Sequence, residues 1–162
     1  MAKKKDDKTN VMRILEQSTI PYTPHTYPPD GPIDGVSVAA FLGQDPQQVF
    51  KTLVTKAAGG NYYVFDIPVA ETLDLKKAAK AVGEKSVAMI PQKDLLGLTG
   101  YIHGGCSPIG MKKQFPTVIH ETAQLFDTVC VSAGKIGAQV ELSPFDLQTL
   151  LGADFADVTV DT

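Results

Sequence analysis

Two stretches have residue types that could do chemistry. One is VFKTLV at 49–54, a lysine among apolar residues, and the other is the glycine-rich run GYIHGGCSPIGMKKQFP at 100–116. If 49–56 is a strand, alternation sends Lys51, Leu53 and Thr55 to one face and Phe50, Thr52 and Val54 to the other. An ammonium that shares a face with leucine near a core needs an anionic or carbonyl partner, because an unpaired buried charge is costly. The alternative is a stem that packs while the head reaches water. Gly104 and Gly105 have no Cβ, so their backbone N–H groups can approach a ligand oxygen closely. Ser107 adds a hydroxyl and Pro108 stiffens the turn. Such a loop suits a small polar group, and it also suits a tight connection between strands.

The elements that must position these residues follow from periodicity. Thr9 or Asn10 caps a first helix whose stripe is Val11, Ile14 and Leu15, and Pro21 ends it. Residues 22–27 read as a short strand, and YPPDGPIDG at 27–35 as a loop and candidate lid. Ser37 is expected to cap a helix through Leu42, and Asp45-Pro46 to open another. Strands over 49–56 and 62–68 form a hairpin around Gly59-Gly60-Asn61. Asp74 caps LKKAAKAV, which Gly83 closes; a strand at 86–90 and a short helix at 91–98 follow. After the glycine loop come strands at 117–120, 128–132 and 138–142, and a last amphipathic helix from Ser143-Pro144 to Leu151. Strands interleaved with short helices indicate an α/β or α+β domain.

Composition narrows the function classes. With 162 residues and 43% hydrophobic content, the chain is expected to form one domain over 9–162 behind a disordered, solvated tail at 1–8. No apolar run approaches a membrane span and MAKKKDDKTN is not a secretory segment, so a soluble, cytoplasmic protein with no membrane partner is expected. The two cysteines, Cys106 and Cys130, have neither CxxC nor metal-ligand spacing, so no metal is expected. A net charge of −3 argues against a broad basic nucleic-acid surface. Any RNA contact must be local, at Lys112 and Lys113 or at Lys76, Lys77 and Lys80, the latter three equally suited to a solvated helix face.

Taken with LDLKKAAKAVG at 73–83 and VSAGKIG at 131–137, the two stretches resemble the YbaK/EbsC family, and the resemblance runs from about Val11 to Val158. That family comprises freestanding aminoacyl-tRNA deacylases related to the editing domain inserted in bacterial prolyl-tRNA synthetases. The resemblance implies a mixed, strongly curved, barrel-like sheet surrounded by helices, with a pocket at one end and no cofactor. Lys51 matches the family's active-site lysine, which engages the substrate backbone or the phosphate and ribose of the terminal adenosine. Gly104 and Gly105 match the loop whose amides face the aminoacyl carbonyl, where they would stabilise developing charge. Tyr27, after His25-Thr26, and Ser132 match pocket positions, and Ser107 belongs to the same loop as the glycines. Gln139 stands where some relatives carry an acidic residue, so polarity survives there and charge does not.

The implied activity is hydrolysis of mischarged Cys-tRNA(Pro), with the substrate's own thiol attacking the ester. The partners are the 3′-terminal adenosine and acceptor stem, with prolyl-tRNA synthetase the candidate protein partner. Alanine on tRNA(Pro) is the alternative substrate, and it would require a water mechanism. A non-catalytic binding protein using the same pocket is the rival from another class. A third reading makes Cys106, aliphatic in relatives, a nucleophile with His103 as base. It is the weakest, since free cysteine is more often a small buried hydrophobe.

Overall fold

The strand–helix alternation read from the sequence is present in the computed structural model, which describes residues 8–31 and 33–161. The tail expected at 1–8 falls outside the described residues except for Lys8, whose Nζ donates to Glu16 Oε1 at 2.8 Å. Local chemistry sets the helix starts. Thr9 accepts from Met12 N to open α1 (Asn10–Gln17), Asp74 accepts from Lys76 N and Lys77 N at α3 (Leu75–Val82), and Ser143 caps α5 (Pro144–Leu151). At α2 (Gly35–Leu42) the cap is Asp34, whose carboxylate accepts from Ser37 N at 2.9 Å; Ser37, expected as the cap, lies inside the helix. Asp45-Pro46 forms a turn, with Asp45 Oδ1 accepting from Gln47 N, because the chain enters a strand four residues later and has no room for a helix. The short helix expected at 91–98 is a 3-10 turn, Gln92–Asp94, running into α4 (Leu95–Thr99).

The strands form two sheets. In one, β1 (Thr23–Thr26), β7 (Ala138–Leu142) and β6 (Val129–Ser132) lie antiparallel in that order. In the other the order is β4 (Val87–Met89), β2 (Phe50–Ala57), β3 (Tyr62–Pro68), β5 (Thr117–His120) and β8 (Asp154–Ala156). Here β2 pairs antiparallel with β3 and β4, while β3–β5 and β5–β8 are parallel. The expected barrel-like closure does not occur. The two sheets are joined by an isolated bridge, Val49 to Cys130, where Cys130 N donates to Gln48 O at 3.0 Å, and by a common core. The fold class, mixed α/β, stands. The strand β8 was not anticipated, since three residues are too few to show a period.

The largest core is shared by both sheets, taking in Phe50 of β2 and Ile119 of β5. Val11 and Leu15 of α1 and Leu147 of α5 pack with Val129, Val131 and Val140 of the three-stranded sheet. Phe65 and Ile67 of β3 pack with Ala78 and Ala79 of α3 and with Val118 of β5. Lys77, one residue from the expected Lys76 and Lys80 pair, binds Asp157 and Asp161, so part of that helix's charge fastens the C-terminal segment. Lys112 donates weakly to Gly97 O at 3.4 Å, and Lys113 lies over the Phe115 ring at 5.9 Å.

At Gly35 the first turn of α2 presses on Val69: a Cβ there would sit 2.3 Å from Val69 Cγ1. Gly35→Ala must therefore overpack this contact. It is expected to destabilise by about 1–3 kcal/mol, read as a lower urea midpoint with unchanged slope. An unchanged midpoint would show that α2 is not seated on Val69.

Candidate active site

The segment that joins the sheets, β2, opens on its N-terminal side into a cavity of about 300 Å³, at the small end of ligand cavities. Lys51, Thr52, Tyr27, Ser132, Gln139, His103, Gly104 and Cys106 all line it. Residues far apart in the chain are thus brought together: Tyr27 leads out of β1, Lys51 and Thr52 lie on β2, Ser132 ends β6 and Gln139 is on β7.

Lys51 is half-buried and lies in register with Ile67. Among the described residues no carboxylate forms an ion pair with it. Burial lowers its pKa, and Glu71, acting without contact, pulls it back up. Tyr27 is 9% exposed, and its backbone N–H donates to Gly137 O at 3.0 Å. Gln139 is buried and accepts from Gln44 Nε2 at 2.8 Å. Ser132 Oγ accepts from Gly134 N at 3.1 Å, which leaves its hydroxyl proton available to the cavity.

The two central glycines separate. Gly104, with φ of +89°, lines the cavity, and its N–H has no partner among the described residues. Gly105 does not line the cavity; its N–H donates to Ile102 O at 3.0 Å. A Cβ at Gly105 would lie 3.0 Å from both Lys135 Cα and Ile136 N. The absence of a side chain there lets the glycine loop rest on the β6–β7 turn, and so fixes Gly104 relative to Ser132. Ser107 also lies away from the cavity: it is fully buried, and its Oγ accepts from Ile109 N at 3.2 Å. The loop serine is thus spent on holding the turn.

Cys106 reaches the cavity, but burial pushes its thiol up to about 12, aided by the nearby charge of Asp66. A thiol so disposed stays protonated and is a poor nucleophile. Among the described residues it has no hydrogen bond to His103. On the three-stranded sheet, His25, Cys130 and Glu141 place one ligand atom each within 4.8 Å of one another, which their spacing in the chain did not reveal. His25 Nε2 is already hydrogen-bonded to Glu141 Oε1 at 2.7 Å, and Thr128 donates to the other oxygen.

Two further residues were missed. Thr52 Oγ1 donates to Asp66 Oδ1 at 2.6 Å, across the β2–β3 register. Asp66 is completely buried, its Oδ2 has no partner among the described residues, and burial raises its pKa to about 7. The signal that could have found it is a carboxylate inside the otherwise apolar run YYVFDIP.

Because the folded-state value of Asp66 lies above its ordinary 3.8, the stability it contributes is complete below that value and is lost as pH rises through about 7. Asp66→Asn keeps an acceptor for Thr52 without the charge. Its Tm is expected to gain on wild type between about pH 5 and about pH 8. A difference that stays constant over that range would contradict the burial of an ionising carboxylate.

Comparison with known proteins matches this arrangement to a family. Residues 34–150 match the model of the aminoacyl-tRNA editing domain. A protein of Enterococcus faecalis, EbsC, named for Cys-tRNA(Pro)/Cys-tRNA(Cys) deacylase activity, is 48% identical over 98% of both chains. A crystal structure described as a trans-editing enzyme for prolyl-tRNA synthetase superposes with TM-score 0.80 at 24% identity, covering 94% of this chain and 99% of that one. A hypothetical protein superposes with TM-score 0.85 at 23% identity, over 93% and 99% of the two chains. These two structural likenesses establish the fold; the sequence matches establish that the chain belongs to the aminoacyl-tRNA editing domain family.

Proposed function

We propose that the protein is a freestanding aminoacyl-tRNA deacylase, cleaving the ester between a small misattached amino acid and the 3′-terminal adenosine of a tRNA, with cysteine on tRNA(Pro) the favoured substrate. The observation that carries this reading is Lys51, a half-buried cation in the same small cavity as the amide of Gly104, neither having a partner among the described residues. The name of the Enterococcus faecalis relative points the same way.

In this reading Lys51 holds the phosphate or ribose of the adenosine end, an anion or a set of acceptors that suits an ammonium already partly stripped of water. The amide of Gly104 faces the carbonyl and stabilises the charge that develops there. Tyr27, Ser132 and Gln139 close the pocket around the amino acid. The substrate's thiol attacks its own carbonyl, so the protein supplies position and electrostatics and no nucleophile of its own. The elevated pKa of Cys106 supports that division of labour over a thiol-dependent hydrolase.

The single domain at 9–162 would act in trans, in the cytoplasm. Its net charge of −3 leaves few phosphate contacts, so tRNA choice would come from a synthetase partner, prolyl-tRNA synthetase being the candidate. Binding of tRNA by the isolated protein is accordingly expected to depend only weakly on salt.

The test is a deacylation assay on Cys-tRNA(Pro) and Ala-tRNA(Pro). Wild type and Cys106→Ser should release cysteine at similar rates, and Lys51→Ala should be slower by about 10²-fold. Turnover of the alanine ester alone would move the specificity and require water as nucleophile. Binding without turnover of either ester would make the protein a binding module.

A further inference from the structure

The thiol-assisted route has an unmet requirement. Sulfur attacks as thiolate, so a group at the cavity must take the S–H proton. Lys51 is a cation, Gly104 offers a donor, and the ring of His103, also on the wall, makes no hydrogen bond among the described residues that would orient it as a base. Asp34 lines the cavity, but its carboxylate is held below its ordinary value by hydrogen bonds from the first turn of α2, Ser37 foremost, which weakens it as a base.

Thr52 has the complementary property. Its hydroxyl proton is committed to Asp66 Oδ1 at 2.6 Å, so its oxygen keeps lone pairs with which to accept, and Thr52 is among the residues that line the cavity. Behind it Asp66 is completely buried and its second oxygen, Oδ2, has no partner among the described residues. Such an orphaned buried oxygen costs stability and is retained here directly behind a cavity-lining hydroxyl. We infer that Thr52 and Asp66 form a proton relay from the cavity to the buried carboxylate, with Thr52 touching the substrate and Asp66 acting through it.

This inference rests on the deacylase reading and deepens it. The thiol proton passes to Thr52 Oγ1 as the proton of Thr52 passes to the Asp66 carboxylate. The sulfur lone pair then forms a bond to the aminoacyl carbon. The bond from that carbon to the ribose oxygen breaks, and the oxygen leaves with the electron pair and takes a proton from water. The amino acid departs as a cyclic thioester, nothing is oxidised or reduced, and Asp66 returns its proton to solvent through Thr52.

The surroundings of Asp66 suit the task. Its register partners, Thr52 on β2 and Ile119 on β5, are uncharged. The titratable group coupled to it is Cys106, from the glycine loop, which is coupled in turn to Tyr101. Lys51, His103 and Asp34 are the remaining titratable groups of the cavity wall apart from Tyr27. With burial raising it to about 7, the carboxylate is a base near neutral pH, where general-base catalysis is most effective.

The test is single-turnover cleavage of Cys-tRNA(Pro) from about pH 5.5 to about pH 8.5, on proteins whose folding is verified by thermal melts. Wild type should show a rising limb with a midpoint near 7. Asp66→Asn keeps the acceptor for Thr52 and should lose that limb, with a rate near neutrality lower by about 10²-fold or more. Thr52→Val should match it, and Thr52→Ser should restore both rate and limb. A folded Asp66→Asn or Thr52→Val protein with the wild-type profile would overturn the relay, as would a uniform loss of rate that leaves the limb in place. Lys51→Ala separates the two readings. A wild type that releases no cysteine defeats the deacylase reading itself, whereas an active wild type, a slow Lys51→Ala and a normal Asp66→Asn defeat the relay alone.

Discussion

A lysine held half out of water beside apolar neighbours is the constraint on which the site depends. The ammonium of Lys51 has given up part of its hydration on β2, and no carboxylate among the described residues repays that cost. The sheet tolerates this because Lys51 stands at the end of the strand that faces the cavity, between Phe50 and Thr52, which also line it. An incoming anion or set of oxygens would supply the interaction that the fold withholds. The same logic, a polar group left wanting at a cavity, recurs in the amide of Gly104 and in Oδ2 of Asp66.

The rest of the molecule brings these groups to one place and holds them there. The hairpin of β2 and β3 sets Lys51 and the Thr52–Asp66 pair. The bridge from Val49 to Cys130 ties that hairpin to the smaller sheet, which delivers Tyr27, Ser132 and Gln139. The glycine loop is fixed from below by Ser107, by Tyr101 Oη donating to Ile109 O at 2.5 Å, and by the close approach of Gly105 to the turn at 135–136. Chemistry at the cavity is therefore positioned by side chains that never reach it.

Much of this was legible in the sequence wherever a local signal existed. Asp74 and Gly83 bracket their helix as capping chemistry requires, and the hairpin over 50–68 follows from alternation around a glycine turn. Lys51 stood out as a charge in an apolar strand. What was not legible depended on distant packing. That Gly105 serves the turn while Gly104 lines the cavity follows from the position of residues 135–136, thirty residues away. That the strands form two sheets, where one barrel-like sheet was expected, is likewise a matter of which strands pair. Asp34 displaced Ser37 as a cap because the helix starts earlier, at Gly35, where the Asp34 carboxylate accepts from the N–H of Ser37.

The central claim, that Lys51 is an unrequited cation awaiting the adenosine end of an aminoacyl-tRNA, is tested most directly by equilibrium binding. The ligand is a cysteinyl-adenosine in which an amide replaces the labile ester and a 5′-phosphate is retained. Titration calorimetry should show saturable binding to wild type and a Kd weaker by tenfold or more, ~1.4 kcal/mol, for a folded Lys51→Met protein. Equal affinity of the two proteins would mean that the half-buried ammonium is satisfied within the fold, and the account of the site would fail.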